Sequence, residues 1–229
     1  MITTFMTFNI QTCRNYHTRA IEVDLMADTI KNTRAEIIGL NEVFGDGPNQ
    51  ATLIADKLGY RHHYFAQAIV AKGRPFGNAL ISKYPWKEIE TIPIPDPPRD
   101  TDEYYESRVI IKARFENPDF TVIASHFGLA KSEQVNAMKT ALSLIDEVKT
   151  PLVLMGDFNI TPNDDKIRPF FERLKNAYDE KIPSFPSGAP ERRIDYIFVS
   201  PDIKVITSAI VAAVASDHLP HIAVLDIPE

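Results

Sequence analysis

The sequence predicts an α+β protein: mixed β-sheets stacked in layers with helices on the outside. Three observations predict it. Short apolar runs rich in β-branched residues recur along the chain and read as strands. Stretches of helical period separate some of them. Many strands nevertheless follow one another directly, which disfavours the strict alternation of a fully parallel, doubly wound sheet.

The strand candidates are 2–10, 35–40, 78–82, 109–115, 120–125, 152–155, 194–199 and 221–225. Four helices are expected. In 19–33, Ile21, Leu25 and Ile30 fall near one face. In 132–148, Val135, Met138, Leu142, Ile145 and Val148 recur at helical spacing behind Ser132, a candidate N-cap. The segment 49–58 is shorter. The segment 162–174 contains Pro169, which kinks it or begins a new helix. Two proline-rich stretches, 85–98 and 181–193, read either as functional rims or as solvated connections.

Length and composition set bounds. A chain of 229 residues with 44% hydrophobic and 24% charged residues suits one domain, 1–229, with a core that needs no disulfide. The single Cys13 cannot form an internal disulfide, and no apolar run approaches the ~20 residues of a membrane span. The N-terminus reads as a strand, so a cytoplasmic protein with no obligate protein partner is expected. A net charge of -6 argues against a dedicated nucleic-acid binder. Local basic clusters stand out at Lys72 and Arg74, at Arg108, Lys112 and Arg114, and at Arg192 and Arg193.

The chemistry concentrates at strand ends. Asn9, Glu42, His126, Asp157 and Asn159 each close or follow an apolar run, and Asp217 and His218 precede the last one. Strand ends are rigid, so groups there can converge with the precision catalysis needs. Asp195, flanked by Ile194 and Tyr196, needs a partner if buried. A His–Asp pair also suits a serine hydrolase, but no nucleophile elbow accompanies it.

The motifs are FN at 8–9, NEV at 41–43, GNALIS at 77–82, ESR at 106–108, SHFGL at 125–129, GDFN at 156–159, RIDYIF at 193–198 and SDHLP at 216–220. In this order the chain resembles the endonuclease/exonuclease/phosphatase (DNase I-like) superfamily. The resemblance implies a four-layer α/β/β/α sandwich of two mixed sheets, and a Mg²⁺- or Mn²⁺-dependent hydrolase of phosphate esters. It makes Glu42 the main metal ligand, with Asn9 beside it and Asp217 touching the ion. Asp157 activates water and Asn159 helps hold it. His218, oriented by Asp195, binds phosphate. Arg108, Asn9 and Asn78 contact substrate, and His126 protonates the leaving oxygen. Gln11 stands where many nucleases of the family carry an acidic residue, and Asn41 replaces a more usual glutamine, an exchange expected to matter little. His17, His62, His63 and His221 match no site position. The expected reaction is phosphodiester hydrolysis of nuclease type, with nucleic acid among the candidate substrates. A phosphomonoesterase acting on a small phosphorylated molecule or inositol phosphate comes second. A catalytically silent binding protein is the alternative of a different class.

Overall fold

A computed structural model describes residues 1–47, 49–178 and 182–229. The elements in chain order are β1 (Ile2–Asn9), α1 (Val23–Thr33), β2 (Ile37–Phe44), α2 (Gln50–Leu58), β3 (His62–Ala71), β4 (Arg74–Ser82), β5 (Glu88–Pro93) and β6 (Val109–Glu116). They continue as β7 (Asp119–His126), α3 (Lys131–Glu147), β8 (Leu152–Asp157), α4 (Arg168–Arg173), β9 (Lys175–Asn176), β10 (Asp195–Val199), β11 (Lys204–Ile210) and β12 (His221–Asp226).

The strands form two six-stranded sheets, ordered β11-β12-β1-β2-β4-β3 and β5-β6-β7-β8-β10-β9. Both are mixed. The parallel pair β1–β2 is bridged by α1, and the parallel pair β7–β8 by α3; the other pairings are antiparallel. Period-two alternation gives each inner strand two apolar faces, so three apolar layers result. Phe5, Leu80, Ile111, Val122, Met155 and Ile197 fill the space between the sheets. Met26, Ile30 and Ile54 of α1 and α2 cover the first sheet, and Met138, Leu144 and Phe170 of α3 and α4 cover the second. The expected four-layer sandwich is the observed one.

Local chemistry moves several expected boundaries. The first helix begins at Val23, not at residue 19, because Arg19 takes a positive φ of 62°. In α3 the N-cap is Ala130, and the Glu133 carboxylate reaches back to the Ala130 N–H; Ser132 lies inside the helix. Pro169 starts a helix, since α4 begins at Arg168 after a 3₁₀ turn. The proline-rich stretch 85–98 contains edge strand β5 and packs Trp86 against His62. Lys181 of the second proline-rich stretch lies outside the described residues.

Candidate active site

Strand register brings the polar residues together. In the second sheet His126 pairs with Asp157 across β7 and β8, and Asp157 pairs with Asp195 across β8 and β10. In the first sheet Asn9 pairs with Asn41 across β1 and β2. Both sets lie at the same end of the sandwich. Asn41 joins them: its Nδ2 donates to Asn78 Oδ1 and to the Ser125 carbonyl, both at 3.1 Å, and its Oδ1 accepts the Asp157 N–H at 3.1 Å. Asn41 therefore ties one sheet to the other beneath the site.

Two backbone features aim the side chains. Glu42 has a φ of 57° at a bulge where the β2–β4 register shifts between Leu40 and Val43. A non-glycine residue in that region is strained, and bulges re-aim side chains. Gly156 has a φ of +153°, and a Cβ there would lie 1.8 Å from the Ser125 carbonyl oxygen. The glycine of GDFN is thus a steric requirement. The phenylalanine of the same motif is an anchor. Phe158 is buried and stacks on Phe127 at 4.5 Å and Tyr196 at 5.6 Å, which holds Asp157 and Asn159 on either side of it.

The result is a cleft of about 370 Å³ lined by Glu42, Arg108, His126, Asp157, Asn159, Asp217 and His218. Asn9 and Asp195 lie fully buried behind its wall. The Asn9 amide donates to Glu42 Oε1 at 3.0 Å and to Asp157 Oδ2 at 3.1 Å. Asn78 has a different place from the one expected. It is buried, and its amide spans Asn41 and the Val109 carbonyl at 3.1 Å each, so it braces the sheets and does not line the cleft. Gln11 lies beside the carboxylates and donates to Asp217 Oδ2 at 2.6 Å.

The two cleft histidines differ in charge. His218 Nδ1 sits 2.9 Å from Asp195 Oδ2, which also accepts the Ser184 hydroxyl at 2.6 Å. Burial pushes the His218 pKa down, but the charges of Asp195 and Asp157 outweigh it and carry it up to about 10. His126 Nδ1 lies 3.2 Å from Arg108 Nη1, a group that only donates. His126 Nε2 lies 3.2 Å from the Asn159 amide nitrogen, another donor, and 3.4 Å from Asp157 Oδ2. Burial, Arg108 and His218 together push the His126 pKa well down, so this ring is neutral. Arg108 is itself held by Glu106 at 2.6 Å.

The carboxylates respond to burial as well. It raises the Asp157 pKa to about 7 against the pull of the His218 charge. Burial raises that of Glu42 too, with Asp217 adding repulsion against the Asn9 hydrogen bond. Neither Glu42 nor Asp217 has a lysine or arginine partner among the described residues. Uncompensated, adjacent, hard oxygen donors of this kind fit a divalent cation. Asp157, Asp195 and His218 also bring one ligand atom each within 4.8 Å of one another. In that trio His218 hydrogen-bonds Asp195 and lies 3.6 Å from Asp157, and a protonated His218 has no lone pair for a metal.

Sequence reasoning missed Glu106 as the partner of Arg108, Ser184 as the second donor to Asp195, and Phe185. The Phe185 ring packs 4.7 Å from the His218 ring, and Ser184 and Phe185 come from the second proline-rich stretch. That stretch is part of the cleft wall.

Known structures share this architecture. A protein described as endonuclease/exonuclease/phosphatase from Beutenbergia cavernae DSM 12333 superposes with a TM-score of 0.83 at 22% identity, over 99% of this chain and 72% of that one. A mannosyl-6-phosphatase from Bacteroides thetaiotaomicron gives 0.78 at 18% identity, over 98% of this chain and 100% of that one. The human Nocturnin catalytic domain with bound sulfate gives 0.77 at 17% identity, over 99% and 94%. No protein of curated function matches the sequence. The profile of the Endonuclease/Exonuclease/phosphatase family matches residues 6–218, a span that holds every residue of the cleft described above, and the chain belongs to that family of phosphoester hydrolases.

Proposed function

We propose that the protein is a divalent-metal-dependent phosphodiesterase of nuclease type in which Asp157 takes the proton of the attacking water. The observation that carries this reading is the Asp157 carboxylate, buried on the cleft floor between a neutral and a charged imidazole. A pKa near 7 suits a general base at neutral pH. The Asn159 N–H holds Asp157 Oδ1 at 3.0 Å and the Asn9 amide holds Oδ2 at 3.1 Å, so the base is fixed in orientation. His218 gives its Nδ1–H to Asp195 and keeps its Nε2–H for a non-bridging phosphate oxygen, where negative charge builds in the transition state. Arg108, braced by Glu106, adds positive charge on the opposite wall.

Glu42 and Asp217 would hold Mg²⁺ or Mn²⁺, with Asn9 orienting Glu42. Bound there, the cation supplies positive charge against the reacting phosphate. The role expected of His126 changes. A neutral ring next to a guanidinium has no second proton to deliver, so His126 serves to position Arg108 and Asn159 beside Asp157.

The test is hydrolysis of bis(p-nitrophenyl) phosphate against p-nitrophenyl phosphate with Mg²⁺ or Mn²⁺. We expect the diester to be cleaved faster, with activity lost in EDTA. Faster monoester cleavage would favour a phosphomonoesterase, a reading supported by the small volume of the cleft, about 370 Å³. Metal-independent binding without turnover of either compound would favour a silent binding protein.

A further inference from the structure

We infer that Arg192, with the pocket it shares with the catalytic cleft, binds a second phosphate of the substrate next to the one that is cut. The inference rests on the phosphodiesterase reading only for which bond breaks. Two arginines line the cleft wall, and they differ in their partners. Arg108 is buried and held by Glu106. Arg192 is exposed and has no carboxylate partner among the described residues. Its guanidinium lies 4.8 Å over the Phe185 ring, which also packs 4.7 Å from the His218 ring. Arg192 is thus one aromatic ring away from the imidazolium assigned to the scissile phosphate.

Its stem is fixed. The Arg192 and Phe185 backbones exchange hydrogen bonds at 2.8 and 3.0 Å, and the Ser184 N–H donates to the Arg192 carbonyl at 2.9 Å. Stacking on Phe185 limits the guanidinium further, so less entropy is lost on binding. Arg192 also lines a second cavity of about 490 Å³, together with Thr161, Asn163, Asn176 and Glu191. The Asn176 amide is committed to the Tyr178 carbonyl, so Thr161 and Asn163 are the side chains left to meet phosphate oxygens beside Arg192. Arg74 provides the contrast: it stacks over Phe44 in the same manner but is held by Asp46 at 2.8 Å. An arginine set over a ring, without a carboxylate partner among the described residues and bordering both the catalytic cleft and this cavity, is a receptor for another anion.

The test compares wild type, Arg192→Gln and Arg168→Gln. Arg168 is an exposed arginine on α4, paired with Glu172, and serves as the control. One arm uses a thymidine dinucleotide without a terminal phosphate and with one at either the 5′ or the 3′ end. The other arm uses a hexose monophosphate and its bisphosphate. Turnover is measured with Mn²⁺, and binding to metal-free protein in EDTA by calorimetry. In wild type the extra phosphate is expected to lower KM and the dissociation constant about tenfold, near 1.4 kcal/mol. Arg192→Gln should erase that preference, and Arg168→Gln should keep it. A preference in the dinucleotide arm assigns the second phosphate to nucleic acid, and one in the hexose arm to a small bisphosphate. No preference in either arm, or a preference that survives Arg192→Gln, overturns the inference. Calorimetric preference without turnover of any diester keeps the subsite and overturns the catalytic reading instead.

Discussion

His126 and His218 are the same residue type, both buried, with Nε2 atoms 3.4 and 3.6 Å from the same Asp157 oxygen. They nevertheless carry opposite charge states. Desolvation disfavours the charged form of each. What separates them is the group on the far nitrogen: a guanidinium at His126 and a carboxylate at His218. The lesson is that, at equal burial, the neighbour beyond the ring decides whether an imidazole is held as a cation or as a neutral dipole.

The largest effect is expected from Asp157→Asn, which removes the anion both rings share. The kcat on a chromogenic diester should fall about 10²–10⁴-fold, with an unchanged circular dichroism spectrum. Near-wild-type turnover would remove Asp157 as the base.

Asp195→Asn should come next. It takes away the carboxylate behind His218, and nuclear magnetic resonance titration of the metal-free protein should then find the His218 pKa well below its wild-type position of about 10. The rate should drop about 10²–10³-fold, or roughly 2.7–4 kcal/mol by analogy with lost charge-stabilising donors. Adding His218→Ala should cost little more, because the two act as a unit. Strictly additive losses would break the pair.

Arg108→Gln tests the other ring. Removing the cation should raise the His126 pKa, and the lost charge-assisted contact should cost about 1.5–3 kcal/mol of catalysis. An unmoved His126 titration would show that burial alone keeps it neutral.

The smallest effect concerns a third histidine, outside the cleft. His221 is fully buried with the Ser208 hydroxyl 3.0 Å from its Nε2, and burial pushes its pKa from 6.5 down to about 3. Between these values the unfolded chain binds the proton that the folded one refuses. Its contribution to stability is therefore intact above pH 6.5 and lost as pH falls towards 3, at up to about 1.4 kcal/mol per pH unit. Urea midpoints at pH 7 and pH 5 should differ less in His221→Gln than in wild type. Equal differences would exclude His221 as a source of acid lability.

The layers and most of the cleft were legible because inner strands carry long apolar runs with polar residues at their ends. The strands that sequence reasoning missed outright, β3, β5, β9 and β11, are the four sheet edges. Edge strands have one neighbour and a wetter surface, so their apolar signal is weak; Val70 and Ile206 are exposed there. Asp195 was readable from its apolar flanks, and Glu42 from its motif. Asn78 was misjudged, because which face of a buried strand meets the other sheet depends on register that a single sequence does not carry. Ser184 and Phe185 were hidden for another reason: a loop path brings them in, and no periodicity encodes it.

Asn41 couples the gap between the sheets to the cleft floor. One amide grips the Ser125 carbonyl and the Asp157 N–H across the seam, so the Asp157 carboxylate is gauged against the opposite sheet as well as its own strand. An overpacked residue anywhere between the sheets would wedge them apart, and this linkage would carry the displacement to the cleft floor. Misplacing a reacting group by about 1 Å can cost on the order of 10²-fold in rate. Substitutions that only swell the interior should therefore slow the enzyme before they unfold it, which turns turnover into a caliper for the fit of the core.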